Sequence, residues 1–402
     1  MSCAAVGSAK VLAYKLETSW GVLAGAAGGK QLRRVTGDFN LVKETYESNE
    51  IVSSRQISDM RHGVRTAEGS LNGELSPNSY SDFMQAIVAR DFTTGAVSTT
   101  FSATIAASGT LWTVTRAAGD FLVDGLNVGK VIALTGGLNA LNVAKNLLIV
   151  SMNSTVLTVQ VLNDTAMFAE GPIAAITATV RGKDTFVPST AHTDQSFTIE
   201  EWYSDILQGE VYTGLKCGSL NIQLPATGLA TVDMSFQGKD LTQTGVTQYF
   251  TSPSAASASG IFAGVQGSVI VNGLPVALIT SADFSIERAL ENAVAVGSDN
   301  AACIFAGRIK AMGNLSVYFV DAAFRNYFKD ETVVSLVFAM TTNNTDNADF
   351  VSFTLPKVKL GSFTKSDNEL GIVASCSFQA LLNADALTGL PLTTVAIQDS
   401  TL

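Results

Sequence analysis

Histidine is all but missing. His62 and His192 are the only two, far apart and in loop-like surroundings, so a His-based triad or a two-His metal site has no raw material. Cysteine is nearly as scarce: Cys3, Cys217, Cys303 and Cys376 show none of the short spacings of zinc or redox sites. They read as reduced thiols in strands or loops, and neither metal nor cofactor is expected. Although 47% of the chain is hydrophobic, no apolar run approaches the roughly 18 residues that span a bilayer, and no membrane partner is expected. Lys10 and Lys15 interrupt the apolar N-terminal stretch and no signal-peptide core follows, so the expectation is an unprocessed chain made in the cytoplasm.

Catalytic motifs are missing too. There is no GxSxG elbow. Gly125-Leu126-Asn127-Val128-Gly129-Lys130-Val131 has neither the spacing of a phosphate loop nor a Ser or Thr after the lysine, and reads as a β-turn. The acidic run Asn343–Asp349 lacks the glycine and distal glutamate of an EF-hand loop and reads as a solvated hairpin tip. Glu200 and Glu201 are adjacent on a strand, so they point to opposite faces and cannot serve one substrate as a pair. No enzyme is expected.

Basic charge is also in short supply, with 25 Lys and Arg against 35 Asp and Glu, a net charge of −10. Between residues 92 and 193 the charges cancel, so the acidic excess belongs to the rest of the chain. A nucleic-acid binder would carry a basic stripe to neutralise phosphate. Tight binding of DNA or RNA is therefore disfavoured.

What the sequence does contain is a repeat. Gly37-Asp38-Phe39-Asn40-Leu41 returns as Ala282-Asp283-Phe284-Ser285-Ile286, Gly69-Ser70-Leu71-Asn72 as Gly313-Asn314-Leu315-Ser316, and Met234-Ser235-Phe236-Gln237 as Cys376-Ser377-Phe378-Gln379. Blocks recurring in fixed order mean two copies of one structural unit. The offsets are 245 and 244 for the first two blocks but 142 for the third, so the first copy carries about 100 extra residues, enough for a small inserted domain. The plan is an N-terminal arm (1–30) that needs a partner surface, a discontinuous first unit (31–92 and 194–245) and an insert (93–193). A Ser/Ala/Thr-rich linker (246–262) then leads to a second unit with a C-terminal arm (263–402).

Alternating polarity marks a half-buried strand from Leu32 to Glu44, with Val35, Gly37, Phe39 and Leu41 on one face and Asp38 and Asn40 on the other. Its counterpart buries Ala282, Phe284 and Ile286. A mixed-charge loop (about 46–62) follows, mirrored by 292–305, then a strand from Val64 to Leu75, mirrored by 308–319. Each copy then has a helix. Asn78-Ser79 is expected to cap Tyr80–Val88, with Tyr80, Phe83, Met84 and Ile87 inward, and Asp321 to cap Ala322–Phe328, with Phe324, Tyr327 and Phe328 inward. The insert alternates short strands such as Leu147-Leu148-Ile149-Val150 with turn signals at Gly119-Asp120, Asp124-Gly125 and Gly136-Gly137, the pattern of a small β-barrel or sandwich.

The combination of Glu44–Glu50, Arg55-Gln56, Arg61-His62-Gly63, Gly69–Leu75 and Ser196–Asp205, with Gly313–Asp321 in the second copy, resembles tail tube (major tail) proteins of long-tailed, non-contractile bacteriophages. The resemblance covers about 30–90 and 195–400. It implies a mainly β fold, two tandem β-sandwich or half-barrel units each with one flanking α-helix, plus the inserted β-domain. It also implies that strands join subunits into rings, that rings stack through arms and the long loop, and that the tube conducts DNA without binding it specifically. The partners implied are other copies of the chain, a tape measure protein and tail tip or terminator proteins. The place implied is the virion tail, assembled in the host cytoplasm. An exposed sheet edge is a hazard in a monomer but a joint in a ring, and an acidic conduit repels its cargo. Another ring-forming tail or secretion-tube component, or a β-rich surface or adhesion protein, remains an alternative.

Two fused units predict trimeric rings with pseudo-sixfold symmetry, because single-unit members of the family form hexamers; units stacked vertically within one chain would instead give six chains per ring. Ring-to-ring contact is expected from the arm and from Glu47, Glu50, Arg55, Asp59 and Arg61 in the long loop. The channel lining is expected from Asp38, Asn40, Glu68, Asn72 and Glu74, with Asp283, Ser285, Glu287, Asn314 and Ser316 in the second copy. These alternate with core positions and so face solvent, inside the tube or outside it. The insert is expected to project outward and to be dispensable for assembly.

Overall fold

The computed structural model describes residues 4–95, 97–162, 166–367, 369–385 and 389–401, with only the backbone of 243 and 244; Cys3 lies outside them. The fold is mainly β. The first unit comprises β1 (Lys10–Leu16), β2 (Lys30–Gln31), β3 (Thr36–Glu47), β4 (Met60–Glu74) and helix α1 (Ser81–Val88). After β5 (Thr93–Thr94) come the strands of the insert: β6 (Ser98–Ser108), β7 (Leu111–Arg116), β8 (Val131–Gly136), β9 (Leu147–Met152), β10 (Val156–Val161) and β11 (Glu170–Val180). The first unit resumes through β12 (Lys183–Phe186), β13 (Phe197–Tyr203), β14 (Gln208–Pro225), β15 (Thr231–Gly238) and β16 (Asp240–Gly245). The second unit has β17 (Gly267–Val271), β18 (Leu274–Pro275), β19 (Ile279–Ala293), β20 (Cys303–Tyr318) and helix α2 (Ala323–Lys329). It ends with β21 (Val334–Thr341), β22 (Phe350–Leu360), β23 (Thr364–Lys365), β24 (Val373–Ala380) and β25 (Ala396–Asp399).

The duplication runs through the whole unit. β1 pairs with β13 and β2 as β17 pairs with β21 and β18; β3–β4–β15 corresponds to β19–β20–β24. Even the irregularities recur: the ladder slips after Lys43 in β3 and after Arg288 in β19, the same 245-residue offset as Phe39 and Phe284. Residues 10–16, expected in an arm awaiting a partner, are thus the unit's first strand, with Leu12, Ala13 and Tyr14 buried. The stretch 246–262 is no loose linker either. It bridges to the N-terminal segment at Ala27–Thr251 and Lys30–Ser254, and it buries Phe250 and Phe262.

The two units lie side by side in one antiparallel sheet. Its order is β3–β4–β15–β14–β19–β20–β24, closed by the end of β22 and β23. The seam between units is the β14–β19 ladder, running from Ser219 opposite Glu287 to Pro225 opposite Ser281. Alternation puts Phe39, Leu71, Met234, Leu220, Ile222, Phe284, Ile286 and Leu315 on the core face. Two glycines are dictated by this packing. A Cβ on Gly69 would sit 2.1 Å from the Phe39 ring, and one on Gly313 would sit 2.1 Å from the Asp283 carbonyl oxygen and 2.7 Å from Phe378, which explains why Gly69 and Gly313 recur.

A second, outer layer covers the core: β2–β1–β13 with the first half of β14 and β16, and in the other unit β18–β17–β21 with the first half of β22 and β25. The insert is a closed six-stranded barrel, β10–β7–β6–β11–β8–β9, entered and left through β5 and β12, which pair with each other. It does not stand free. Its core continues into Ile270, Val337, Ala339 and Phe350 of the second unit's outer layer, and Asn146 Nδ2 donates to the Ala348 carbonyl at 2.8 Å. The run 343–349 is the tip of the β21–β22 hairpin, exposed from 343 to 347 as expected and tied to the barrel by Lys145 Nζ, 2.9 Å from Asp346.

Other boundaries shift for identifiable reasons. The long loop shortens to 48–59 because β3 and β4 continue past the sheet as a hairpin exposed on both faces; 294–302 does the same in the second unit. Val35 lies outside β3 and is exposed. Tyr80, Phe83, Met84 and Ile87 of α1 are buried, but neither Asn78 nor Ser79 caps the helix. Asp399, from the last strand, instead pins the turn that leads into the helix, accepting from Asn78 N at 2.8 Å and Ser81 Oγ at 3.1 Å. Asp321 caps α2 by accepting from Ala323 N at 2.8 Å, and Phe328 faces solvent.

Candidate assembly and channel surface

Each strand of the continuous sheet buries one face and presents the other, so the polar residues of all its strands are gathered on a single surface. Asp38 stands opposite Ser70, Asn40 opposite Glu68, Asn72 opposite Asp233 and Glu74 opposite Thr231. Across the seam Ser285 stands opposite Asn221 and Glu287 opposite Ser219, then Asn314 opposite Asp283 and Ser377. All ten residues expected to line a channel therefore share one face, on both units. The sequence reading missed their neighbours Asp233, Ser219, Asn221, Ser235, Ser375 and Ser377, which the same alternation within β14, β15 and β24 would have found.

The face is acidic and hydroxyl-rich. Asp38, Glu68, Glu74, Asp233, Asp283 and Glu287 lie on it, against Lys310 opposite Glu287 and Arg288 beside Asp38 and Glu68 in one concavity. Short hydrogen bonds tie the strands together. Ser70 Oγ donates to Asp38 at 2.8 Å, Asn314 Nδ2 to Asp283 at 3.0 Å, and Ser219 and Ser235 share one at 2.6 Å. Two shallow concavities on this face, one per unit, are lined by Asp38, Asn40 and Glu68 and by Asp283, Glu287 and Asn314. Neither is shaped to enclose a small molecule. Among the described residues no cluster of three or more His, Cys, Asp or Glu could hold a metal ion.

The loop residues lie at the tip of the first hairpin. Glu47 ends β3, and Glu50 and Arg55 are exposed, Arg55 with a left-handed φ of 59°. Asp59 and Arg61 pair with each other at 3.1 Å. Ile51, Ile57 and Met60 are exposed beside them, as are Val294, Val296 and Phe305 on the second hairpin. Apolar residues on solvent-facing tips were not anticipated; their signal is that they lack the alternation of a core strand. The second tip leans on the first unit, with Asp299 3.4 Å from Arg65, which also meets Asp240 at 3.1 Å.

Buried charge sets the position of β3. Glu201 accepts from Lys10 Nζ at 2.7 Å, Tyr203 OH at 2.8 Å and Phe39 N at 3.0 Å. Burial pushes its carboxyl above the usual range, against the pull of Lys10. Glu200 points the opposite way and accepts from the Tyr249 and Phe250 amides; burial raises it too, the two N–H groups opposing. The pair is structural on both faces. Cys217 is buried and its thiol pushed up to about 12, Cys376 to about 11, both by burial, so both are inert thiols.

At the seam, Asp194 bridges the units. Its carboxylate takes Lys216 Nζ of β14 at 2.5 Å and Arg288 Nη2 of β19 at 3.4 Å, all partners long-range in sequence and invisible to motif reading.

No curated protein matches the chain. Among solved structures, a chain of the anti-feeding prophage baseplate, reconstructed by cryo-EM with sixfold symmetry, aligns at 10% identity over 34% of this chain and 93% of its own. Its TM-score of 0.24 is too low to bear on fold or function. The sequence profile described as "Phage tail tube protein" matches residues 7–380. That span takes in both units and the insert, and the chain belongs to the phage tail tube protein family, structural components of the virion tail.

Proposed function

We propose that the protein is the repeating subunit of the tail tube of a long-tailed, non-contractile phage, three chains forming a ring with pseudo-sixfold symmetry around a channel that conducts the genome. The observation that carries this reading is the side-by-side placement of the two units in one sheet with a shared acidic face. Units stacked along a tube axis would not share a β-ladder at their seam. The acidic face is the channel lining in this account, repelling DNA so that it passes without sticking. The barrel packs on the opposite, outer layer and so stands on the tube's outside. The exposed hairpin tips, with Glu47, Glu50, Arg55, Asp59 and Arg61, make ring-to-ring contacts. Tape measure, tip and terminator proteins are the partners at the tube's core and ends, and assembly takes place in the host cytoplasm.

Quantitative mass spectrometry of purified particles tests the reading. A tube subunit is the most abundant tail protein, with a copy number that is a multiple of three per ring and scales with tail length. A handful of copies per particle would make it an end component instead.

A further inference from the structure

The internal seam has a counterpart at the two outer edges of the chain. β3 is equivalent to β19, but among the described residues no strand pairs with its outer edge. The segment 362–367 is equivalent to the part of β14 that meets β19: Phe236 faces Cys217 as Phe378 faces Leu360, and Thr364 pairs with Ser375 as Asn221 pairs with Asp233. Its outward edge has no strand partner among the described residues. Two further asymmetries fall at the same place. Helix α1, which lies under the seam against β14 and β19, buries Phe83, Met84 and Ile87; α2, its equivalent, packs on β22 and buries no residue. An apolar hollow lined by Phe324, Tyr327, Phe363 and Val317 is left open beside it.

Charge repeats the pattern. Lys359 is equivalent to Lys216, since each opposes the glutamine that follows the phenylalanine repeated in both units, Gln379 or Gln237. Glu331 precedes β21 by the three residues that separate Asp194 from β13, and it already holds Lys359 at 3.0 Å. The third member, Arg288, corresponds to Lys43, exposed on β3.

Resting on the tube reading above, we propose that neighbouring chains join by copying the internal seam: segment 362–367 pairs antiparallel with β3 of a second copy. Ser362 falls opposite Val42, Phe363 opposite Leu41 and Thr364 opposite Asn40, and Lys43 of the second copy completes an ion triad with Glu331 and Lys359. The joint covers α2 and its apolar hollow, as the internal seam covers α1. In the free chain Phe39 N donates to Glu201 and Phe39 O accepts from Tyr212 OH; the joint exchanges those contacts for strand pairing, leaving Glu201 with Lys10 and Tyr203.

Cysteine pairs in the full-length chain read the register. Because Phe39 turns its amide outward, Asn40 takes a non-hydrogen-bonded position, where Cα atoms are about 4.5 Å apart, within disulfide reach. Oxidised assemblies of N40C/T364C are expected to give covalent dimers and a closed trimer. N40C/S362C, displaced by two residues to about 7–8 Å, is expected to give no more cross-linking than the wild type. Lys43→Glu is expected to raise the concentration needed for assembly about tenfold or more, because it sets a charge against Glu331, while Lys43→Arg assembles normally and both monomers melt with the wild type. Where the wild type forms tubes, equal cross-linking by N40C/S362C or none by N40C/T364C overturns the register, and normal assembly of Lys43→Glu overturns the triad. A wild-type chain that forms no rings at any concentration overturns the tube reading and the joint with it.

Discussion

Replacing Phe284 with alanine tests whether the seam between the units is part of one cooperative core. Phe284 is fully buried, in the strand that pairs with β14. Its ring stacks on Phe338 at 5.1 Å with an interplanar angle of 15° and meets Phe353 edge-on at 5.0 Å. Emptying such a site costs about 3–5 kcal/mol, and losing two ring pairs places this one near the top of that range, about 4–5 kcal/mol. If the two units unfold together, the unfolding entropy of a 402-residue chain is about 0.8 kcal/mol per degree, so the melting temperature falls by about 5–6 °C. Urea denaturation followed by circular dichroism measures the loss as a lower midpoint at unchanged slope. Ser285→Ala, on the opposite face of the same strand, is expected within about 0.5 kcal/mol of wild type. A loss below about 1 kcal/mol for Phe284→Ala would refute the packing. A split into two transitions, with only the second-unit transition shifted, would refute the shared core.

Replacing Asp38, Glu68 and Glu74 with lysine on the acidic face should leave tail assembly intact but slow genome ejection, most at low salt, because phosphate then meets attractive charge; an unchanged ejection rate from complete particles would place that face elsewhere. Reversing Arg55 and Arg61 to glutamate should shorten or abolish tubes while leaving the monomer's melting temperature within a degree or so, and tubes of normal length would remove the hairpin tip from the ring-to-ring contact. Glu200 has a folded-state pKa raised by burial, so the folded chain holds that proton more tightly and stability drains away as pH rises from the unfolded carboxyl range through the folded value. Glu200→Gln should therefore gain on wild type as pH rises from about 4.5 to 7 in urea melts, and a variant that loses ground over that range would contradict the assignment. Deleting 95–190 uncovers Ile270, Val337, Ala339 and Phe350, so aggregation is expected unless those positions are made polar, and a soluble, tube-forming deletion would show that the barrel is dispensable after all.

The parts of this fold that were legible in the sequence are those written in local alternation. Phe39 and Phe284, with the polar residues between their neighbours, announced two equivalent half-buried strands, and the face shared by Asp38, Glu68, Asp283 and Asn314 followed from period two alone. What escaped depended on contacts distant in sequence. β1 and β17 play equivalent parts but share no residue pattern, so the first looked like an arm. The distal halves of β3 and β4 are exposed on both faces, and without a buried side there is no alternation to read. Asp399 pins the start of a helix more than 300 residues away through Ser81 Oγ, and the Asp194 bridge joins segments that only the fold brings together. One missed signal was present: Val334–Thr341 is apolar almost throughout and buried on both faces, which marks a strand covered on each side and pointed to a further cover over the outer layer, supplied by the barrel.

A cryo-EM reconstruction of the tube formed by the full-length chain tests the central claim most directly. The account predicts rings of three chains in which first and second units alternate around one inner β-sheet, with Asp38 and Asp283 facing the lumen and the barrel outside. Strict sixfold rings with every first unit in one layer, or a lumen lined by the barrel, would contradict it.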